Sequence, residues 1–243
     1  MIFRIEVLTN MLKKIEMQNM GSSNLGWLRS IFHFSFAGYY NPTNMNFGTL
    51  RVLNDDLIEQ GEGFDTHPHK DMEIITYVIQ GELTHADSMG NKRSLKRGHV
   101  QYMSAGTGIY HSEHNYGNET LRLLQIWISP DKKGYTPNYG DYMFDWNLRK
   151  EKWLNIVSGL NGNAPIKINQ DVNIYVLELE NAKEIDFVVE KNRQAYLVQI
   201  EGESNINDIQ MSPKDAIEIT EETIFIKSKS KSHYLVIEMK AEK

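Results

Sequence analysis

The sequence predicts an all-β protein, built as an antiparallel sandwich or barrel. Short runs of Val, Ile, Leu and Tyr recur at close intervals, and Gly81, Gly90 and Gly98 separate several of them. Many short strands with turns at such spacing are typical of these folds. Amphipathic helical patterns are missing from the sequence, apart from one short stretch at residues 146–154.

The strands can be placed in order from their apolar residues. Residues 3–7 predict an opening strand, because apolar side chains alternate there with Arg4 and Glu6. An aromatic-rich segment at residues 26–40 is expected to cover the core, and Gly90-Asn91 predicts a hairpin reversal. Further strands are predicted at residues 50–53, 74–79, 100–103, 121–128, 174–179, 185–189, 196–200, 216–219, 224–226 and 234–239.

The second half of the chain echoes the first, which indicates internal duplication. Tyr77-Val-Ile-Gln-Gly resembles the stretch that runs from Tyr196 to Gly202. We therefore expect a leader or strand at residues 1–25, a first domain at 26–135, a linker at 136–165 and a second domain at 166–243. The linker is expected where the pattern dissolves into Pro, Gly, Tyr and Asp.

Composition narrows the classes of function. A net charge of -6 argues against a nucleic-acid binder, which needs a concentrated basic face. The chain has no cysteine, so disulfides and thiolate ligands are excluded and a metal would be held by nitrogen and oxygen. No apolar run approaches the roughly 20 residues of a membrane span, and Arg4 and Glu6 interrupt any signal sequence. We expect a cytoplasmic protein.

Two short motifs indicate a metal site in the first domain. His67-Pro68-His69 and His111-Ser112-Glu113 each carry two potential ligands at a spacing of two. Side chains two apart on a strand point to the same face, so each motif would direct both groups to one spot. A lone His-x-His pair is usually structural, but the two motifs together favour a divalent transition metal. Such ligands suit iron, nickel, copper, zinc and manganese.

The same residues carry a family resemblance. Gly61-x5-His67-x-His69-x3-Glu73 resembles the first cupin motif, and the run from Gly98 through His111 to Asn115 resembles the second. More closely, the runs His67-Pro-His-Lys-Asp-Met-Glu-Ile-Ile-Thr-Tyr-Val and Met103-Ser-Ala-Gly-Thr-Gly-Ile-Tyr-His-Ser-Glu resemble the pirin family. The similarity is dense from about residue 26 to 130 and thinner to about 240.

The resemblance implies a bicupin fold, in which two antiparallel β-barrels of the double-stranded β-helix or jelly-roll type pack together. Only the first would hold a metal, with His67, His69, His111 and Glu113 as ligands. Fe(II) is the first choice of ion, with nickel, manganese, copper and zinc as alternatives. Since Ile74 stands where other cupins often place an acidic ligand, Glu113 would supply the carboxylate, and Glu73 would be a hydrogen-bond partner or a solvated residue.

The resemblance also implies a reaction. Pirin-like proteins are associated with quercetin 2,3-dioxygenase activity, in which dioxygen cleaves a flavonol with loss of carbon monoxide, and Glu113 would be the catalytic base. The alternative is a metal-containing regulatory or redox-sensing protein that resembles a transcription cofactor, which leaves a protein partner open. A cupin isomerase or a small-molecule binding module is a third reading.

Overall fold

The structure, a computed structural model, describes residues 11–241, and the strand expected at residues 3–7 lies outside them. The first half contains Leu12–Ile15 (β1), Gly21–Asn24 (β2), Leu28–Phe32 (β3), Leu50–Ile58 (β4), Gly63–His69 (β5), Glu73–Gln80 (β6), Glu82–Asp87 (β7), Lys92–Lys96 (β8), His99–Ser104 (β9), Ile109–His114 (β10), Leu121–Ile128 (β11) and Asn138–Met143 (β12). The second half contains Leu154–Gly159 (β13), Ile166–Ile168 (β14), Val172–Leu179 (β15), Glu184–Val188 (β16), Arg193–Glu201 (β17), Ser204–Ile206 (β18), Ile209–Met211 (β19), Ala216–Thr220 (β20), Thr223–Ser228 (β21) and Ser232–Lys240 (β22).

Each half is a jelly-roll made of a seven-stranded and a four-stranded sheet. In the first half the sheets have the orders β12-β9-β6-β11-β4-β3-β2 and β5-β10-β7-β8. In the second half the orders are β1-β20-β17-β22-β15-β13-β14 and β16-β21-β18-β19. The sheets of each half form separate hydrogen-bonded layers and do not close into one cylinder. The prediction of an all-β protein with two packed cupin domains is confirmed.

The two seven-stranded sheets pack against each other and enclose the largest apolar core. Strand β11 contributes to two cores, because alternate side chains of a strand point to opposite faces of its sheet. Leu124 and Ile126 belong to the core between the halves, while Leu123 belongs to the interior of the first jelly-roll. The core between the halves comprises Phe34, Leu50, Leu53, Ile75, Tyr77, Ile79, Val100, Leu124, Ile126, Ile128 and Phe144 from the first half, and Ile156, Val157, Ile166, Ile168, Val172, Ile174, Val176, Tyr196, Val198, Ile200, Ala216, Leu235, Ile237 and Met239 from the second.

Two stretches of the chain carry strands that local patterns do not reveal. In the leader, β1 joins the sheet of the second half, where Leu12 pairs with Ile219. The segment at residues 136–165 contains β12, which pairs with β9, and β13, which pairs with β15. Side chains of β12 are mostly exposed or half-buried, so their sequence lacks apolar alternation. We propose that the first jelly-roll ends with β12 and the second begins with β13.

Other local predictions can be compared directly. The hairpin at Gly90-Asn91 is confirmed, because it joins β7 to β8. The helix predicted near residues 146–154 is shorter and consists of one 3-10 turn, Trp146–Arg149. Asp145 caps that turn by accepting a hydrogen bond from the Asn147 backbone N–H. Within residues 11–241, no helix is long and apolar enough to cross a membrane.

Two buried histidines link the halves through tyrosine hydroxyls. His33 Nδ1 lies 3.0 Å from the hydroxyl of Tyr196, and His233 Nε2 lies 2.9 Å from the hydroxyl of Tyr77. Burial lowers the pKa of His33 and of His233 from 6.5 to about 4, although Asp55 and Glu201 respectively oppose that shift. Both imidazoles are therefore neutral in the folded protein at neutral pH.

We expect the free energy of unfolding to fall as the pH is lowered from 6.5 towards about 4. Over this pH range the two histidines are protonated in the unfolded chain but stay neutral in the folded protein. Each histidine therefore contributes up to roughly 3 kcal/mol to the loss of unfolding free energy. Urea unfolding of chelator-treated protein at several pH values between 6.5 and about 4 measures this change in the free energy of unfolding. A His33→Asn/His233→Gln variant keeps a polar partner for each tyrosine and should show a shallower pH slope, and an unchanged slope would contradict this assignment.

Candidate metal centre

Strands β5 and β10 bring the two histidine motifs together. They pair in antiparallel register, with His111 directly opposite His67 and Ile109 opposite His69. Directly opposed residues have Cβ atoms about 5 Å apart, so their side chains meet on one face. Pro68 points away from this face, and its missing N–H is tolerated because β5 is an edge strand of its sheet.

Three imidazoles converge on this face. Ligand atoms of His67, His69 and His111 all lie within 4.8 Å of one another. Their ring centroids are 4.9 Å apart for His67 and His69, 4.4 Å for His67 and His111, and 4.8 Å for His69 and His111. The sequence predicted these three residues as neighbours, and the structure brings them together.

The hydrogen bonding of these rings fits a cation. His111 is 2% exposed, and neither of its ring nitrogens has a hydrogen-bond partner among the described residues. His67 Nδ1 lies 2.7 Å from the Asp65 carbonyl oxygen, which fixes the ring and directs Nε2 to the cluster. Burial lowers the pKa of His69 to about 4 and of His111 to about 3. Neutral imidazoles are the form that coordinates metals.

Glu113 is buried beside the cluster and is held by two amides. Its Oε1 accepts a hydrogen bond from Gln101 Nε2 at 2.9 Å, and its Oε2 accepts one from Gln125 Nε2 at 2.7 Å. The pairing of β10 with β5 shifts by one residue between His111 and Glu113, because Phe64 lies opposite Glu113 and the extra residue is on β5. Glu113 groups within 4.8 Å with His111 and His85, whereas the tight group with His67 and His69 is made of histidines alone.

His85 and the two glutamines are site residues that sequence reasoning missed. His85 lies opposite Glu113 in the pairing of β7 with β10, and Asp87 Oδ2 lies 3.3 Å from its Nε2. It is fully buried and stacks on Tyr139 of β12. The available signal was the spacing of two between His85 and Asp87 on a strand. The sequence alone could not show that the strand with His85 and Asp87 pairs with the strand that carries His111 and Glu113.

Glu73 and two further histidines of the first half lie outside this cluster. Glu73 is 1% exposed, so it is not a solvated residue, and it binds the Ser104 hydroxyl and the Asn169 backbone N–H instead of a histidine. His99 Nδ1 accepts a hydrogen bond from the backbone N–H of Lys96, and His114 stacks on Tyr116. Since Asn169 lies in the second half of the chain, Glu73 connects the two halves of the protein.

A cavity of about 410 Å³ opens beside the histidine cluster. His67, His69 and Glu113 contribute to its wall. The rest of the wall contains five aromatic residues, together with aliphatic and polar ones. The aromatic residues are Trp27, Phe32, Phe36, Phe64 and Trp127. The Trp127 ring stands edge-on to His69 with centroids 4.8 Å apart. This shape can hold a flat apolar molecule against the imidazoles.

The described part of the second jelly-roll, up to residue 241, offers no equivalent site. Its interior is filled by apolar side chains, among them Phe187, Val189 and Leu197. Aligning Gly81 with Gly202 places Val188 and Glu190 where His67 and His69 stand. Within residues 11–241, both groups of potential metal ligands lie in the first half.

Comparisons with known proteins agree with this architecture. A sequence model of the family named Pirin matches residues 14–128, and one described as the quercetinase C-terminal cupin domain matches residues 155–239. The chain is 42% identical over 221 residues to the quercetin 2,3-dioxygenase of Escherichia coli K12, covering 90% of this chain and 94% of that protein. It is 40% identical over 215 residues to a pirin-like protein of Caulobacter vibrioides, covering 88% and 93%.

Solved structures show the same similarity. The crystal structure of the bacterial pirin YhhW from Escherichia coli in complex with nickel(II) superposes with a TM-score of 0.89 at 39% sequence identity. The match covers 95% of this chain and 100% of that one. A further crystal structure of YhhW gives a TM-score of 0.90 over 95% and 98% of the two chains.

Proposed function

The chain belongs to the pirin family, and on that premise we propose that it is a metal-dependent dioxygenase that cleaves quercetin or related flavonols. One observation carries the proposal. His67, His69 and His111 converge within 4.8 Å at the wall of an aromatic cavity of about 410 Å³. Relatives that are named quercetin 2,3-dioxygenase cover nearly the whole chain, which supports the same activity here.

We propose that His67, His69, His111 and Glu113 hold one divalent ion. The unpartnered nitrogens of His111 among the described residues support this, because a buried polar atom normally has a partner. Fe(II) is our first choice, and nickel, which the Escherichia coli pirin structure contains, is the second. When bound, the ion supplies Lewis acidity towards a hydroxyl oxygen and the redox chemistry that dioxygen requires.

The residues around the ion would bind and deprotonate the substrate. The aromatic wall sandwiches a flat flavonol and excludes water, and Trp127 holds its edge against His69. Glu113 accepts the proton of the 3-hydroxyl group. Gln101 and Gln125 keep its carboxylate in place, because each donates a hydrogen bond to one of its oxygens.

Oxygen uptake with quercetin tests this function. Protein reconstituted with Fe(II) or Ni(II) should consume dioxygen and release carbon monoxide in equal amounts, whereas zinc-loaded protein should not, because zinc has no redox chemistry. A flavone that lacks the 3-hydroxyl group is the matched control and should give no uptake. Protein that binds metal but consumes no dioxygen with any flavonol would contradict the proposal and favour the regulatory reading.

A further inference from the structure

Two adjacent aspartates on β4 occupy opposite faces of the sheet. Asp55 and Asp56 are each 3% exposed. Asp55 faces the second half of the protein. Arg122 Nη2, from β11 of the first half, lies 2.7 Å from its carboxylate, and Lys214 Nζ, from the second half, lies 3.6 Å away. Asp56 faces the cavity beside the histidine cluster and has no such cation among the described residues. Only one of the two carboxylates therefore has an evident structural role.

Three polar atoms in the cavity wall lack hydrogen-bond partners among residues 11–241. They are Asp56 Oδ1, Asn54 Oδ1 and Trp127 Nε1, and all three are buried. Leaving a buried polar atom without a partner costs about 1–3 kcal/mol. The three atoms have almost no accessible area, but all three side chains belong to the wall of one cavity, so a small rotation of each would turn these atoms towards a molecule bound there.

The positions of these residues define a polar strip in an apolar wall. Asn54 lies between Phe32 and Gln125 in the sheet, and Gln125 is the residue that holds Glu113. Asp56 lies one row further along β4, about 7 Å from Asn54, because the rise along a strand is about 3.4 Å per residue. The strip therefore extends away from the Glu113 carboxylate along the cavity wall.

The environment of Asp56 is typical of a ligand-binding carboxyl group. Burial, helped by the nearby charges of Asp55 and Glu113, raises its pKa to about 7, although the hydrogen bond from the Ser30 hydroxyl opposes the shift. A carboxyl group with such a perturbation in a cleft is a candidate for a functional residue.

We propose that Asp56 and Asn54 form a second anchoring point, which accepts hydrogen bonds from substrate hydroxyl groups other than the one that meets the metal. Trp127 Nε1 donates to an oxygen acceptor on the same molecule. The ligand class is a polyhydroxylated aromatic compound with donors at both ends. This assignment rests on the proposed function. It makes the site specific for substrates that carry hydroxyl groups away from the reacting ring position.

Binding of two flavonols to zinc-loaded protein without dioxygen tests the anchoring point. Quercetin carries several hydroxyl groups, while 3-hydroxyflavone keeps only the one for the metal. We expect wild-type protein to bind quercetin at least about 10-fold more tightly, as two additional hydrogen bonds of about 1 kcal/mol each predict. Asp56→Leu should reduce this ratio to near 1 while 3-hydroxyflavone binds unchanged. Quenching of tryptophan fluorescence gives both affinities.

Asp55→Leu is the matched control, because it removes a buried aspartate on the same strand. It should lower the melting temperature, since Arg122 loses its partner, but keep the affinity ratio. Asp56→Leu should lower the melting temperature less than Asp55→Leu does, because Asp56 forms no ion pair with the described residues. If Asp56→Leu does not fold, Asp56→Ala replaces it.

The outcomes separate this proposal from the proposed function. A wild-type ratio near 1, or a ratio that survives the loss of Asp56, would overturn the anchoring point and leave the dioxygenase proposal intact. Wild-type protein that binds neither flavonol would overturn both.

Discussion

A chain that ends at residue 130 is expected not to fold, although it contains all four predicted metal ligands. It would expose ten apolar side chains that the second half now covers, among them Leu124, Ile126 and Ile128. At about 1.5–3 kcal/mol for each side chain, the loss is roughly 15–30 kcal/mol. Typical domains have a free energy of unfolding of only about 5–15 kcal/mol, so the loss exceeds the whole stability of such a fragment.

The fragment should be insoluble, or soluble without near-ultraviolet circular dichroism. Two controls test the cause. Co-expression with residues 131–243 should restore a soluble complex, and threonine at positions 124, 126 and 128 should improve solubility by making the exposed face polar. A soluble, monomeric fragment that binds metal would contradict the prediction and show that the second jelly-roll is dispensable.

Residue patterns were informative wherever a local rule decides the structure. Spacings of two placed His67 with His69 on one face of a strand, and the structure has that strand as β5. The apolar run at residues 121–128 predicted β11 with its observed bounds. In each case neighbouring residues carry the information.

Features that depend on distant pairing were not predictable. Leu12 pairs with Ile219 across the whole chain, and nothing in the leader indicates that partner. In the sequence, Gln101 and Gln125 look like ordinary strand residues. Only the folded structure shows that both donate hydrogen bonds to Glu113. His85 became a neighbour of His111 only through the register of β7 with β10. The family resemblance identified the ligands without revealing what orients them.

The Glu113→Gln variant is expected to lose turnover by at least about 100-fold, the usual contribution of a general base. A loss of metal affinity would explain the same result, so metal content must be measured beside activity. His69→Ala provides the contrast, because it removes one of the three converging imidazoles and should lose the ion itself. Full flavonol turnover by metal-loaded Glu113→Gln protein would refute the role as base.

Glu113→Gln also disturbs its neighbours, because Gln101 and Gln125 each donate to one carboxylate oxygen. An amide presents one N–H2 group to these donors, so a hydrogen bond is lost at a cost of about 1–3 kcal/mol. The double variant Glu113→Gln/Gln125→Glu reverses donor and acceptor and keeps the net charge, and Thr76 can still donate to residue 125. It should regain the melting temperature of the wild type but not its turnover. Recovery of both would show that a carboxylate anywhere in this cluster suffices, whereas recovery of stability alone assigns the chemistry to the position of Glu113 on β10.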